Sequence, residues 1–259
     1  MLIANDFVVI IPARLASTRL PEKILADIGG KPMIVRTAEA AMKSRASRVI
    51  VAADNEQIIN ACQIHGIEAV LTDTAHQSGT DRLSQAVEIL GLPENIAVIN
   101  VQGDEPLIEA EIINQIADFF IYKKTPMATV AHPIIQLSDF HNPNIVKTVL
   151  DNEDCALYFS RAPIPYPRDT NAHILPEKMP VLRHVGIYAY SVPFLKIYHT
   201  LSPSLLEQTE SLEQLRVLWH GFKIGVLVYP NTPQAGVDTA EDLARVREIW
   251  QQQYAALTV

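Results

Sequence analysis

Phe7-Val8-Val9-Ile10-Ile11 is an apolar run with no polar residue between its members, and such a run of β-formers predicts a strand buried on both faces of a parallel sheet. Further strands are predicted at 48–53, 68–71, 97–101 and 127–131. The stretches between them change to a helical period. Pro32 suits the first turn of a helix running to about Ser44, because proline lacks a donor that this position leaves unpaired. Helices follow at 56–64, at 79–90 and at 110–122. In the second of these, Leu83, Ala86, Val87 and Leu90 share a face, and Ser78 or Thr80 is available as a cap. Regular strand–helix alternation predicts an α/β fold with a mostly parallel central sheet, right-handed crossovers and helices on both faces.

The second half is less regular. Short β-like pieces at 145–150, 156–160 and 184–191 surround the proline-rich stretch 162–180, which has neither period and is read as a long functional loop. Helices are expected at 192–199 and 212–220, a strand at 223–228, and a last helix from Thr239 to about Tyr254.

The chain has 259 residues and a net charge of −8, which argues against a nucleic-acid partner needing a broad basic face. The charge is unevenly spread. Residues 1–50 carry eight Lys/Arg against four acids, a local +4, so the remainder sums to −12. No apolar run approaches the roughly 18 residues of a membrane span, and the first residues lack the positive region of a signal peptide. Two cysteines, Cys62 and Cys155, stand outside any CxxC pattern, as expected of free thiols in a reducing cytoplasm.

Three cations, Arg14, Arg19 and Lys23, hang off the end of the first strand. That places them at the carboxyl edge of the sheet, where open α/β folds bind ligands. Arg forks and a Lys point charge suit a polyphosphate. The GxG fingerprint is missing, and Leu25 stands where a P-loop upstream of Gly30-Lys31 requires glycine, so any nucleotide is bound by another route. A second constellation, Gln102-Gly103-Asp104-Glu105, lies at the end of the fourth strand. Its Asp104 suits Mg²⁺, which takes one or two carboxylates together with phosphate oxygens, although Gly and Asp also make ordinary turns. Asp238 has two readings as well. Followed by Glu241, it forms a capping-box pattern opening the last helix, the reading its local pattern favours, and it could also offer a second oxygen to a metal.

The segments PARLASTRLPEK (12–23), HQSGTDR (76–82), VQGDEP (101–106), NPNIVK (142–147), LYFSRAPIP (157–165), RHVGIYAY (183–190), LEQLRVL (212–218) and GVDTAEDL (236–243) run collinearly. Together they resemble the 3-deoxy-manno-octulosonate (KDO) cytidylyltransferase family. The resemblance implies a Rossmann-like nucleotidyltransferase fold. It implies one domain over 1–259, with a sugar-binding and dimerisation insertion at about 132–220. It also implies a cytoplasmic homodimer that uses Mg²⁺ to transfer CMP from CTP to the anomeric hydroxyl of an eight-carbon sugar acid for lipopolysaccharide synthesis, with no nucleic-acid or membrane partner. Residue by residue, Arg14, Arg19 and Lys23 match the phosphate loop, and Ser78, Gly79, Thr80 and Arg82 match the cytosine-reading loop. Asp104 and Asp238 match the metal acids. Gln102, Arg168, His184, Tyr188, Glu213 and Gln214 match the sugar-acid pocket. Arg14, Lys23, Asp104 and Asp238 are the expected catalytic set.

Three positions depart from the family pattern. Glu22 replaces a usual glycine, Ile24 a common proline, and Gln234 a glycine two residues before Gly236. The residues leave structural alternatives open: a histidine opening an apolar strand, and a tyrosine four residues on, also fit a core. Glu213 and Gln214 are about 100° apart on a helix, so one can face solvent. An activator of an amino-substituted or other sugar acid, and a non-catalytic nucleotide sensor, are the alternative functions. A nucleotide-sugar glycosyltransferase would want a DxD motif where this chain has Gly103-Asp104-Glu105.

Overall fold

The computed structural model describes residues 6–17, 20–76, 78–170, 173–175 and 180–257, with the side chains at 170 and 253–257 excepted. Its first half runs β1 (Phe7–Ala13), a small hairpin of β2 (Asp27–Ile28) and β3 (Lys31–Pro32), α1 (Met33–Ala41), β4 (Arg48–Ala53), α2 (Glu56–Ile64), β5 (Glu68–Leu71), α3 (Gly79–Ile89), β6 (Ala97–Asn100) and α4 (Ala110–Lys123). The second half continues with β7 (Met127–Pro133), α5 (Leu137–His141), β8 (Lys147–Leu150), β9 (Ala156–Ser160) and β10 (Leu182–Ser191). It closes with α6 (Val192–Tyr198), α7 (Leu205–Glu210), α8 (Gln214–Trp219), β11 (Ile224–Val228) and α9 (Ala240–Leu257).

The central sheet has the order β11-β7-β10-β6-β1-β4-β5. β1 pairs in parallel with β4 and β6, β4 with β5, and β7 with β11. β1 lies inside the sheet between β6 and β4, every one of its residues being buried. Its side chains alternate between two cores, as the pleat requires. Phe7, Val9 and Ile11 pack under α1, α2 and α4, whereas Val8 and Ile10 face α3, α6 and α8. This is the both-faces burial that the unbroken apolar run predicts.

The departure from a parallel sheet is β10. It runs antiparallel to both β6 and β7 and carries a bulge between Val185 and Tyr188. β8 and β9 extend this antiparallel corner. The helices opened by Ser78 and Ser191 are capped by those serines, each accepting a backbone N–H. The helix after Pro32 ends at Ala41, three residues earlier than its pattern suggests. Helices α5 and α7 and the β2–β3 hairpin are absent from the sequence reading. Cys62 and Cys155 are free and buried. Among the described residues, no helix is long and apolar enough to cross a membrane.

Candidate functional site

A cleft of about 290 Å³ opens at the carboxyl edge of the parallel strands. Its floor is the end of β1 (Pro12, Ala13, Arg14) and the end of β6 (Gln102, Gly103, Asp104), with Ser78 and Gly79 on one wall. These strand ends can meet only because residue 103 lacks a side chain. A Cβ there would stand 2.9 Å from Ile24 Cδ1 and 3.0 Å from the Pro12 carbonyl oxygen. Thr37 Oγ1 donates to the Gly103 carbonyl at 2.9 Å, fixing the loop against α1.

Lys23 joins the acids. Its Nζ donates to Asp104 Oδ2 (2.6 Å), to the Val237 carbonyl (2.8 Å) and to Asp238 Oδ1 (3.4 Å). Two carboxylates 134 positions apart in the chain therefore converge on one point. The all-oxygen donor set around that point fits a hard dication, and two carboxylates completed by phosphate oxygens are what Mg²⁺ prefers. Among the described residues, no group of three or more His, Cys, Asp and Glu is arranged to hold a metal by itself. Glu105, the next residue, is packed against Gly236, where a Cβ would stand 2.8 Å from its Oε1. Desolvation, with the charges of Asp104 and Asp238, pushes its carboxyl up to about 8.

The capping reading of Asp238 is corrected by one residue. Thr239 Oγ1 accepts from the Asp242 N–H at 3.2 Å, and Asp242 Oδ2 accepts from the Thr239 N–H at 3.0 Å. The reciprocal cap is thus Thr239 with Asp242, and the Asp238 side chain turns to Lys23. The residue before Lys23 is also informative. Glu22 adopts φ 51°, ψ 29°, a left-handed conformation that glycine takes without steric cost.

Of the cation loop, Arg14 and Lys23 line the cleft, and Arg19 lies outside the described residues. Ser78, Gly79 and Arg82 line it too, whereas Thr80 is buried behind them. The Arg82 guanidinium is itself engaged, donating to Thr72 Oγ1 (2.5 Å), the Asp73 carbonyl (3.2 Å) and Asp54 Oδ2 (3.4 Å). Asp54 also accepts from the Leu15 N–H at 2.9 Å and so ties the cation loop to the end of β4. Sequence reasoning missed Asp54, although the strand-end rule that picked out Asp104 applies equally to it. It also missed His76, which lines the cleft and whose Nε2 lies 2.7 Å from Gln85 Oε1.

The sugar-acid candidates divide. Gln102 and Glu213 reach the cleft, and Gln102 Nε2 donates to the Gly186 carbonyl at 3.3 Å in the bulge of β10. His184, Tyr188 and Gln214 form a layer behind. The rings of His184 and Tyr188 are 5.4 Å apart, on the same face as their spacing predicts, and Tyr188 OH donates to Gln214 Oε1 at 3.4 Å. Burial lowers His184 to about 3. Because the Thr129 hydroxyl donates to the Ile187 carbonyl (2.7 Å), the neutral imidazole donates from Nε2 to Thr129 Oγ1 (3.0 Å). Glu213 opens onto the cleft while Gln214 is buried, so the adjacent pair does point two ways. Thr80 Oγ1 donates to Glu213 Oε2 at 3.2 Å, and desolvation by the wall behind that carboxyl raises its pKa. Arg168 stands exposed on a short turn at 168–170 and does not line the cleft.

Cations at one strand end and paired acids at the next suit a nucleotide polyphosphate with its counter-ion. A cytidylyltransferase family model matches residues 8–224. The 3-deoxy-manno-octulosonate cytidylyltransferase of Neisseria meningitidis serogroup A / serotype 4A is 55% identical over 250 residues, which cover 95% of this chain and 99% of the relative. The protein of the same name from Herminiimonas arsenicoxydans is 55% identical over 250 residues, covering 95% and 100%. A solved structure of CMP:2-keto-3-deoxy-manno-octonic acid synthetase complexed with CTP superposes with a TM-score of 0.87 at 40% identity, covering 96% of this chain and 99% of that one. A cytidylyltransferase from Leptospira borgpetersenii serovar Hardjo-bovis, at 15% identity and a TM-score of 0.58, shares the fold. With such likeness along nearly its whole length, the chain belongs to the cytidylyltransferase family, among the 3-deoxy-manno-octulosonate cytidylyltransferases.

Proposed function

We propose that this chain transfers CMP from CTP to the anomeric hydroxyl of KDO, releasing pyrophosphate and supplying CMP-KDO for lipopolysaccharide synthesis. The observation that carries this reading is the convergence of Asp104 and Asp238 on Lys23 at the mouth of the Arg14 loop, in a chain 55% identical to relatives named for the reaction. Nucleotidyl transfer is an in-line displacement at phosphorus, so the protein mainly positions reactants and balances charge. Arg14, Arg19 and Lys23 hold the triphosphate and stabilise the pyrophosphate as it leaves. Ser78, Gly79, Thr80 and Arg82 form the wall against which the cytosine is read. Gln102, His184, Tyr188, Glu213 and Gln214 orient the sugar acid, and Arg168 is the cation assigned to its carboxylate.

Asp104 and Asp238 would hold Mg²⁺, which when bound supplies positive charge to the α-phosphate and lowers the pKa of the attacking hydroxyl. Lys23 then leaves the acids for the phosphates, exchanging one set of anionic partners for another. We also place the reaction in the cytoplasm and on a homodimer assembled through the 132–220 portion, where Leu157, Tyr166 and Leu205 present exposed apolar surface; light scattering on the purified protein tests the mass. The function is tested by pyrophosphate release with each of the four NTPs against a panel of sugar acids, amino-substituted KDO included. CTP with KDO is expected to give the highest kcat/KM, and turnover with UTP or GTP but not CTP overturns the reading.

A further inference from the structure

A small hollow adjoins the cleft at Glu213, which lines both, and it is walled also by Thr80, Tyr188, Tyr190, Tyr198 and Gln214 together with Met127 and Val217. It offers about 10 Å³ to the centre of a water-sized sphere, which is about the room that a single water molecule needs. Tyr198 is 1% exposed and Gln214 4%. Among the described residues, the Tyr198 hydroxyl and Gln214 Nε2 are buried and have no hydrogen-bond partner. Their neighbours are paired: Tyr190 OH is 3.2 Å from Thr80 Oγ1, Thr80 Oγ1 donates to Glu213 Oε2, and Tyr188 OH donates to Gln214 Oε1. Two residues with an orphaned donor thus line one water-sized space, whose wall Met127 and Val217 complete, in a fold where buried polar groups nearly always find a partner.

We propose that this cavity holds one ordered water, which accepts from Tyr198 OH and Gln214 Nε2 and donates to the Glu213 carboxylate and the Tyr190 oxygen. Four such bonds match what buried waters make. Tyr198 is then a positioning residue. It touches no substrate, but through the water it fixes the Gln214 amide and braces from behind the carboxylate that Glu213 turns to the cleft. The inference rests on the reading of Glu213 as a sugar-acid contact, with Gln214 in the layer behind it.

The test has two arms. A crystal structure of the unmodified protein at high resolution is expected to show a single density peak in the cavity within hydrogen-bond distance of Tyr198 OH and Gln214 Nε2; a dry cavity overturns the proposal. This arm stands whether or not the protein turns over KDO. In the second arm, Tyr198→Phe keeps the ring that Phe194 meets edge-on at 6.1 Å and that Arg216 covers at 5.1 Å, so the fold is retained. The variant is expected to raise KM for the sugar acid about 3- to 10-fold, the scale of one lost hydrogen bond, with kcat within about twofold and KM for CTP unchanged. A fall in Tm with both KM values unmoved, or an equal rise in both, shows a merely structural tyrosine and overturns the positioning role. Absence of CMP transfer by the unmodified protein instead removes the functional reading on which the second arm depends.

Discussion

The Lys23 ammonium touches Asp104 and Asp238 at once, and a dication drawn to those carboxylates meets a positive charge already on them. Two like unit charges about 4 Å apart repel by about 4 kcal/mol at the effective dielectric of a protein surface, and a dication doubles that before the flexible ammonium moves away. Lys23→Met is therefore expected to tighten Mn²⁺ binding to nucleotide-free protein about 10-fold by titration calorimetry while weakening CTP binding; an unchanged Mn²⁺ affinity would show that the ammonium does not oppose the ion. Asp104→Asn and Asp238→Asn should each lower kcat at least ~100-fold, the scale of lost transition-state charge stabilisation. Because Thr239 and Asp242 make the helix cap, Asp238→Asn should leave Tm in place, and a loss of stability at full rate would reverse that assignment. Glu22 sits in the left-handed region at φ 51°, which costs a residue with a Cβ roughly 1–2 kcal/mol. Glu22→Gly should accordingly gain about 1 kcal/mol in denaturant unfolding, less what glycine loses in chain entropy.

Elements with strong periodicity were legible from residues alone. Those whose form depends on distant partners were not. The β1 run and the shared face of Leu83, Ala86 and Val87 carry their burial in the sequence, and the strand ends bearing Arg14 and Asp104 followed from them. Short α5 and α7 hold too few residues to show a period. The direction of β10 was hidden for a different reason: a strand's alternation says which residues share a face but not which way it runs beside its neighbours. The same limit applied to the site, where His184 and Tyr188 could be placed on one face but not a layer behind Gln102. At this scale Thr239→Ala should cost α9 about 1 kcal/mol through its cap, measured by thermal unfolding. Gly103→Ala forces a Cβ to 3.0 Å from the Pro12 carbonyl and should cost about 1–3 kcal/mol, with kcat falling as the β1 and β6 ends move apart; unchanged kinetics would mean that the cleft tolerates that shift.

For the molecule as a whole, His184 couples the sheet to pH. Burial lowers its folded pKa to about 3 from 6.5, so between those values the unfolded chain binds a proton that the folded chain refuses. Stability from this group is complete above pH 6.5 and is lost as pH falls through the window. Between pH 7 and pH 5 the loss should be about 1–2 kcal/mol, and His184→Gln should remove that part of the slope in urea titrations at the two pH values. A slope identical in both proteins would place the acid sensitivity elsewhere.

The antiparallel strand β10 also governs the molecule in time. Tyr188 pairs with Asn100 on one side and Thr129 on the other, so β6 and β7 both await a strand made long after them. At about 5–20 residues per second of synthesis, the edge of β6 stays open for roughly 5–20 s before Ser191 is made. An open edge of buried, apolar character is where chains join one another wrongly. The hazard for this protein during synthesis thus lies with the interval between Asn100 and Ser191, and slow decoding within 101–181 would lengthen it.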